Sequence, residues 1–264
     1  MKKKINTALP ALSRMGVLLL IIVMGVIIDP SFLSLRNISN NLANASILII
    51  LGVGETVAII TNGPDLSAGS IMTMGGVVTA ILLKNYQIHF VVAILGGLAV
   101  GALLGAINGY MIAYIKIPAF ISTYGLQWAV FGFAYVVLNG YVIYSFDDAF
   151  RFIGNGAVFK YFSMTTVCMM VIAVIGTLLL KHTTLGRKFY SVGSNAVQAN
   201  MSGIDSKKVI MKAFVFSGLM SAAAGILYVA RMNSVQSDIG SAYLLNVLAA
   251  VYMGGTSAAG GEGG

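Results

Sequence analysis

The sequence predicts an all-α, polytopic integral membrane protein with about eight transmembrane helices in a single domain over residues 1–264. Hydrophobic residues make up 58% of the chain and charged residues only 9%, whereas soluble domains contain roughly 45–50% and 25%. The 264 residues have room for about eight apolar segments of roughly 20 residues, the length of a membrane-spanning helix. These two observations decide the fold class.

The distribution of Lys and Arg indicates an orientation in the membrane and argues against a nucleic-acid partner. The net charge is +8, but the basic residues are spread over the connectors and form no single patch with aromatic residues. Cytoplasmic connectors of membrane proteins carry an excess of Lys and Arg. A cytoplasmic N-terminus places eleven of the 16 basic residues on the inner side. The five on the outer side are Arg36, Lys84, Arg151, Lys160 and Arg231.

The first apolar segment, at about residues 15–28, predicts a retained membrane span. Three lysines precede it, as in a secretory signal, but it ends at Asp29-Pro30 without a small-residue cleavage site. Proline disfavours helix in the residue before it, so the span stops there. The single cysteine, Cys168, lies in a later span and can form no internal disulfide.

The second span, at about residues 42–61, leads into a predicted break in the helix. The sequence NGPDLSAGS at residues 62–70 has apolar segments on both sides, and its glycine and proline interrupt a helix. Asp65 is a candidate N-cap for the next helix, with contact to a solute hydroxyl and gating as alternatives. Non-helical backbone at membrane depth is buried in protein or lines a cavity. The candidates for a translocation path here are Glu55, Asn62, Asp65 and Ser67.

Spans three, four and five are predicted at about residues 67–83, 90–114 and 119–138. The fourth span has a glycine at every fourth position, and such a stripe of small residues allows two helices to approach closely. Its members are Gly97, Gly101, Gly105 and Gly109.

A polar pair in the fifth span is a second candidate for contact with a solute. Thr123 and Gln127 are four residues apart and share one helical face, with Tyr124 and Trp128 beside them. Hydroxyl and amide groups flanked by aromatic rings suit a neutral polyol. Hydrogen bonding between helices is the alternative. Residues 139–162 then form an aromatic outer loop, predicted as an interfacial helix or as a docking surface for a solute-binding protein.

Residues 181–212 form the one long polar passage between two apolar blocks, the predicted sixth and seventh spans at about 163–180 and 213–230. Asn195 and Gln198 have the spacing of an N-cap and its reciprocal partner, and Gly203 can end a helix with positive φ. Asp205 is a candidate cap for the next helix. A helix of about two turns is marginal in water, so it must be held by its own membrane helices or by a partner.

The last apolar block matches the second span in a possible internal repeat. Placing Asn62 over Met253 superposes two alanines and two glycines and puts a glycine break in each half. Paired interruptions of this kind mark the binding site in duplicated transporters. Asn246 then corresponds to Glu55 and is a further candidate for the path. Parallel and inverted symmetry both remain open.

Three motifs in order resemble the ribose-type ABC importer permeases of bacterial plasma membranes. They are NGPDLSAGS at 62–70, TTLGRKFYSVGSN at 183–195 followed by SGI, and LAAVYMGGTSAAGG at 248–261. The family usually has Gly-Ile where this chain has Gly63-Pro64. The resemblance identifies residues 181–212 as a cytoplasmic coupling loop, and family members continue for about two more helices, as if this chain were truncated at its C-terminus. The coupling residues it implies are Gly186, Ser194, Asn195, Ala196, Ala199 and Gly203.

The resemblance also implies three protein partners and a transport function. A separate ABC ATP-binding subunit would hydrolyse ATP on the cytoplasmic side, an extracytoplasmic solute-binding protein would deliver the solute, and a second permease copy or homologue would complete the path. The expected solute is neutral, most simply a monosaccharide such as ribose. An ion-coupled secondary transporter that uses Glu55 and Asp65 is the alternative.

The sequence gives no sign of an enzyme. No G-x-x-x-x-G-K-[ST] loop occurs, so ATP or another cofactor is not expected on this chain. His89 and His182 have no companions at metal-ligand spacing, and no nucleophile with a base and an orienting acid is present. We therefore expect no catalytic residues and no metal site.

Overall fold

A computed structural model describes residues 16, 19–61, 63–158 and 162–264. The candidate path residue Asn62 and the N-terminal lysines lie outside these ranges. The helices, numbered in chain order, are α1 (Leu19–Ile28), α2 (Leu35–Thr61), α3 (Ala68–Lys84), α4 (Phe90–Ala113), α5 (Ala119–Leu138), α6 (Asp148–Asn155), α7 (Met164–His182), α8 (Thr184–Ser194), α9 (Ala196–Met201), α10 (Ser206–Met232) and α11 (Tyr243–Met253).

The helical content confirms the predicted all-α fold class. Among the described residues, five helices are long and apolar enough to cross a membrane, namely α2, α4, α5, α7 and α10. Three shorter apolar helices are α1, α3 and α11, and the predicted number of about eight spans stays a prediction. The described residues contain only four two-residue strands: β1 (Ile143–Tyr144) pairs with β4 (Ser234–Val235), and β2 (Ala157–Val158) pairs with β3 (Phe162–Ser163).

Residues 1–42 and 43–264 form two compact units. In the first unit a short 3₁₀ helix, Pro30–Leu33, follows α1, and Asp29 caps it by accepting a hydrogen bond from the Ser31 N–H at 2.8 Å. The proline lies at the start of this helix, where its missing N–H is not needed. The predicted stop at Asp29-Pro30 is therefore a capped turn.

The second unit is built around α10, which packs against α2, α3 and α4. The glycine stripe of α4 lies along this contact: a Cβ on Gly105 would overlap the carbonyl oxygen of Phe214, and one on Gly101 would overlap Ala222 and Gly218. Gly109 faces the Met211 backbone in the same way, while Gly97 faces Thr79 and Gly75 on α3. Backbone touches backbone along much of the α4–α10 interface because no side chains intervene.

We expect Gly105→Leu to destabilise the second unit by about 1–3 kcal/mol or more, because overpacking forces two helix backbones apart. Gly132→Leu in α5 is the matched control, since a Cβ at Gly132 meets no atom within 4 Å. Thermal unfolding of both variants in detergent checks the prediction. Equal unfolding temperatures for Gly105→Leu and Gly132→Leu would show that the close approach does not stabilise the fold.

The chain folds back towards the middle of the second unit before α11 begins, a feature the sequence reading did not identify. Asn233 ends α10 with φ of 57°, and after β4 the backbone of Gly240 packs directly against Gly69 of α3. The Gly240 N–H also donates to the Thr73 hydroxyl at 3.0 Å. With 11 residues, α11 is about 16 Å long, half the roughly 30 Å core of a bilayer. It is therefore a half-length helix preceded by non-helical backbone.

Candidate functional site

The predicted surface helix within residues 181–212 is α9. The Asn195 side chain caps it by accepting hydrogen bonds from the N–H groups of Val197 and Gln198, each at 3.0 Å. Gly203 follows with φ of +81°, which favours glycine. The Gln198 side chain is not the reciprocal partner of Asn195, because the Asn195 N–H donates to Ser191 at the end of α8.

Helix α8 was missed by the sequence analysis, which predicted a single helix of about two turns ahead of Asp205. Thr183 caps it, accepting a hydrogen bond from the Gly186 N–H at 3.0 Å. Phe189 and Val192 are buried on its inner face, at the i, i+3 spacing of an amphipathic helix, so a signal was present in the sequence. Gly186 lies against the carbonyl end of α7, where a Cβ would overlap the oxygens of two leucines. This contact makes the turn from α7 into α8 tight.

Side chains of the chain itself hold α9 in place. Asn200 Oδ1 accepts a hydrogen bond from the Ser206 N–H at 3.0 Å, which joins α9 to the start of α10. Asp205 caps α10 through the Lys208 N–H at 3.2 Å, and that hydrogen bond lowers the pKa of the Asp205 carboxyl. Ala199 is buried in a cluster with Phe189 and Val209. Residues 181–212, which we call the coupling passage after the coupling loop of the resemblance, are thus held against the long helices along one side.

The exposed side of α9 does not include Ala199, which the sequence analysis had selected as a coupling residue. Ala199 was expected to be available to a partner, but the structure buries it because it faces α8 and α10. Val197 and Met201 are the large apolar residues exposed on α9, at 69% and 85%. The smaller residues Ala196 and Ser194 are also exposed. The free surface of α9 therefore carries the large apolar side chains of Val197 and Met201 beside Ala196.

The coupling passage meets both helix breaks at one junction. The Gly261 N–H donates to the Ile60 carbonyl at 2.8 Å, joining the break after α11 to the end of α2. Gly193 of α8 lies against both, because a Cβ there would overlap the Ile60 oxygen and lie 2.8 Å from the Gly261 nitrogen. A cavity of about 280 Å³ is lined by residues from 59–63, 192–196 and 258–260. We call this contact of Gly193, Ile60 and Gly261 the coupling junction.

A second contact ties the same two segments together. The Tyr190 hydroxyl, on α8, donates to the Gly263 carbonyl at 2.7 Å. Ser194 and Gly261 are in direct contact, so a side chain at Gly261 would displace Ser194. Helix α8 and the segment after α11 are therefore in direct contact at several points.

The carboxylates of the first break lie in a buried hydrogen-bonded network. Glu55 Oε1 accepts from the Asp65 N–H at 2.9 Å. Asp65 Oδ2 accepts from the Ser217 hydroxyl at 2.7 Å, and Asp65 Oδ1 accepts from the Ser67 N–H at 3.1 Å. All four residues are fully buried. Ser217 is about 17 Å along α10, so the break contacts the middle part of a helix that is long enough to cross a membrane.

Two residues that sequence analysis did not select extend the network to α4 and α5. The Asn108 amide donates to the Ser67 hydroxyl at 2.7 Å, and the Ser122 hydroxyl donates to Asn108 Oδ1 at 3.1 Å. The available signal was a lone amide in an otherwise apolar span, since such a residue needs a partner in the membrane. The network ties α2, α4, α5 and α10 to the start of α3. The prediction that Asp65 is the N-cap of this helix is wrong, because α3 begins at Ala68 and Ser67 holds the N-cap position. Asp65 instead accepts the Ser67 N–H one turn earlier.

The polar pair of α5 faces inward, whereas its aromatic neighbours do not. Thr123 is buried and donates to the Ala119 carbonyl at 2.8 Å. Gln127 is buried, and its Oε1 has no hydrogen-bond partner among the described residues. Tyr124 and Trp128 pack on each other on the exposed side of the helix. The aromatic rings therefore lie on a different side of α5 from the polar pair, whereas the sequence analysis expected the four side chains to lie together.

The candidate path residues are not all in one place. Glu55, Asp65, Ser67 and Thr123 are buried within this chain. Asn246 is exposed on α11, where its amide donates to the Ala242 carbonyl at 2.9 Å and where it lines a separate cavity. A role for these residues in translocation stays a prediction.

Comparison with known proteins decides the family. Residues 37–261 match the family described as branched-chain amino acid transport system / permease component. This chain belongs to that permease family. The match includes both breaks, α8, α9 and the network, so the site described above lies in the part that defines the family. With five helices of membrane-spanning length, the permease is a multi-pass membrane protein.

The curated relatives are sugar permeases by name. The ribose import permease protein RbsC of Escherichia coli K12 is 34% identical over 254 residues, which cover 93% of this permease and 77% of the relative. The galactose/methyl galactoside import permease protein MglC of Haemophilus influenzae is 32% identical, with coverages of 92% and 78%. The D-allose transport system permease protein AlsC of E. coli K12 is 31% identical, with coverages of 93% and 75%. No solved structure matches the permease.

Proposed function

We propose that this permease is the membrane subunit of an ABC importer that carries a neutral monosaccharide across a bacterial plasma membrane. Its relatives are permeases for ribose, galactose and allose, three sugars without a charged group. A separate subunit binds and hydrolyses ATP, so the permease needs no cofactor or metal of its own. The N-terminus and α9 lie on the cytoplasmic side, in agreement with the excess of Lys and Arg there.

The observation that carries this proposal is the coupling junction. An ATPase subunit that binds Val197 and Met201 of α9 can displace α8 as well, because the two helices are joined through the Asn195 cap. Gly193 then transmits the displacement to Ile60 on α2 and to Gly261 after α11 without an intervening side chain. Packed interfaces of this kind are bistable, so nucleotide binding can select between inward-open and outward-open arrangements.

Two further partners complete the importer. A solute-binding protein delivers the sugar to the outer ends of the helices, where the α6 region and the connector between α3 and α4 are exposed. A second permease copy or homologue pairs with the first, and exposed apolar side chains on α4, α5 and α7 are available for that partner or for lipid.

Uptake into proteoliposomes tests the proposal. The permease is reconstituted with its ATPase and its solute-binding protein, and radiolabelled D-ribose, D-galactose and D-allose are supplied outside. We expect accumulation of at least one sugar with ATP in the lumen and none with ADP. Accumulation driven by a proton or sodium gradient without ATP would instead support a secondary transporter, and no ATP-dependent uptake of any neutral sugar would reject the proposal.

A further inference from the structure

A groove between α2 and α11 lies at the end of α10 that is remote from α9. It has a volume of about 430 Å³ and is lined by Asn44, Ala45, Leu48, Ala242, Tyr243 and Asn246. Arg231, in the last turn of α10, donates from its guanidinium to Asn44 Oδ1 at 2.9 Å. Because α10 has 27 residues and is about 40 Å long, the groove and the coupling passage lie towards opposite faces of the membrane.

The backbone around the groove is of the kind that membrane proteins use at binding sites. The segment before α11 is non-helical, and Gly240 within it packs against Gly69 of α3 and donates its N–H to the Thr73 hydroxyl. The groove therefore begins where the chain folds back into the membrane and a half-length helix starts. Non-helical backbone survives at this depth where it lines a cavity or is buried in protein, and interrupted helices form the substrate sites of many transporters.

The side chains in the groove offer both donors and acceptors to a ligand. Within the described residues, the Asn44 amide nitrogen, the Asn246 amide oxygen and the Tyr243 hydroxyl have no hydrogen-bond partner, although the other amide atoms of Asn44 and Asn246 do. The Tyr243 ring is fixed by an edge-to-face contact with Tyr228, with 6.0 Å between ring centroids. An aromatic ring with a few convergent polar groups in a cavity of several hundred Å³ is typical of a small-molecule site.

We propose that this groove is an outer binding site for a neutral polyhydroxylated solute, a monosaccharide, on its way through the permease. The proposal rests on the proposed transport function and gives it a location. Amide and phenol groups exchange hydrogen bonds with sugar hydroxyls, each of which both donates and accepts. Among the described residues that line the groove, none is charged, and the nearby Arg231 donates to the neutral amide of Asn44, so the lining favours a neutral solute.

Protection of an engineered thiol tests the groove without requiring transport. Cys168→Ser removes the native thiol, and Ala242→Cys places a new one in the groove while keeping its polar groups. The permease is reconstituted with its ATPase, and the rate of modification by a water-soluble methanethiosulfonate is measured with and without D-ribose, D-galactose or D-allose at millimolar concentration. Leu245→Cys is the matched control, because Leu245 is 76% exposed on the same helix but does not line the groove.

We expect at least one neutral sugar to slow modification at position 242 about tenfold, as it does when its concentration is about nine times its Kd, and to leave position 245 unchanged. Adding Asn246→Ala to the Ala242→Cys variant should remove the protection, and Asn246→Gln should restore part of it, which a purely structural asparagine would not do. D-glucuronate serves as the anionic comparison. Protection by none of the neutral sugars, equal protection at positions 242 and 245, or protection by glucuronate alone would overturn the assignment.

The uptake assay and the thiol-protection assay can give negative results independently of each other. Sugar protection without ATP-dependent uptake would retain the groove as a binding site and reject the importer mechanism. Uptake driven by ATP without protection at position 242 would retain the importer and reject this groove as the outer site.

Discussion

Replacing Gly193 with valine is expected to abolish ATP-driven uptake and reduce solute-stimulated ATP hydrolysis at least about tenfold, which corresponds to roughly 1.4 kcal/mol of lost coupling. A Cβ at this position would overlap the Ile60 carbonyl oxygen and lie 2.8 Å from the Gly261 nitrogen. Overpacking of this kind typically costs about 1–3 kcal/mol. Here the obstacle is backbone rather than a flexible side chain, so α8 must move away from α2 and from the segment after α11.

The measurement is ATP hydrolysis by the reconstituted importer with and without sugar-loaded binding protein. Gly125→Val is the control, because a Cβ at Gly125 meets no atom within 4 Å and the residue is exposed on α5. Both variants should insert into the membrane. Gly193 lies in the coupling passage and not in a span, and valine at position 125 adds an apolar side chain to an apolar helix. Wild-type stimulation by Gly193→Val would show that the coupling junction transmits no signal.

Asp65→Leu is expected to destabilise the permease by about 3 kcal/mol or more. The Asp65 carboxylate accepts hydrogen bonds from the Ser67 N–H, the Ser67 hydroxyl and the Ser217 hydroxyl, and all of these groups are fully buried. A buried donor without a partner costs about 1–3 kcal/mol. For a chain of this length, that loss lowers the unfolding temperature by roughly 10 °C.

Thermal unfolding in detergent measures this effect directly. Asp65→Asn keeps one side-chain oxygen as an acceptor, so we expect it to lose less than half as much stability as the leucine variant. If Asp65→Leu unfolds at the same temperature as the wild type, the network does not hold the break in place. A carboxylate needed for ion coupling would give a different pattern, in which Asp65→Asn is stable but does not transport.

Much of this architecture follows from properties that are local in the sequence. Apolar segments of membrane-spanning length gave the all-α class, and α5 has the predicted bounds because Pro118 and the left-handed Asn139 stop it on both sides. The position of α9 followed from a side-chain cap at Asn195 and a glycine at 203, which act within four residues of the helix ends. Such signals do not depend on the rest of the fold.

The parts that were missed depend on contacts between distant residues. Ala199 is buried because α8 covers it, and the covering helix was itself not predicted. Asn108 gains its role from Ser67, 41 residues away along the chain. The fold-back before α11 rests on the contact of Gly240 with Gly69, and neither glycine reveals its partner in the sequence. The junction at Gly193 joins three segments that only the folded chain brings together.

Site-specific crosslinking of α9 tests the central claim most directly. A cysteine replacing Val197, which is 69% exposed, in a Cys168→Ser background is tested for crosslinking to the ATPase subunit in inverted and right-side-out vesicles. The account predicts capture of the ATPase at position 197, thiol labelling only from the cytoplasmic side, and no capture from a cysteine replacing Met232 at the other end of α10. Labelling of position 197 from outside the cell, or no capture of an ATPase there, would contradict it.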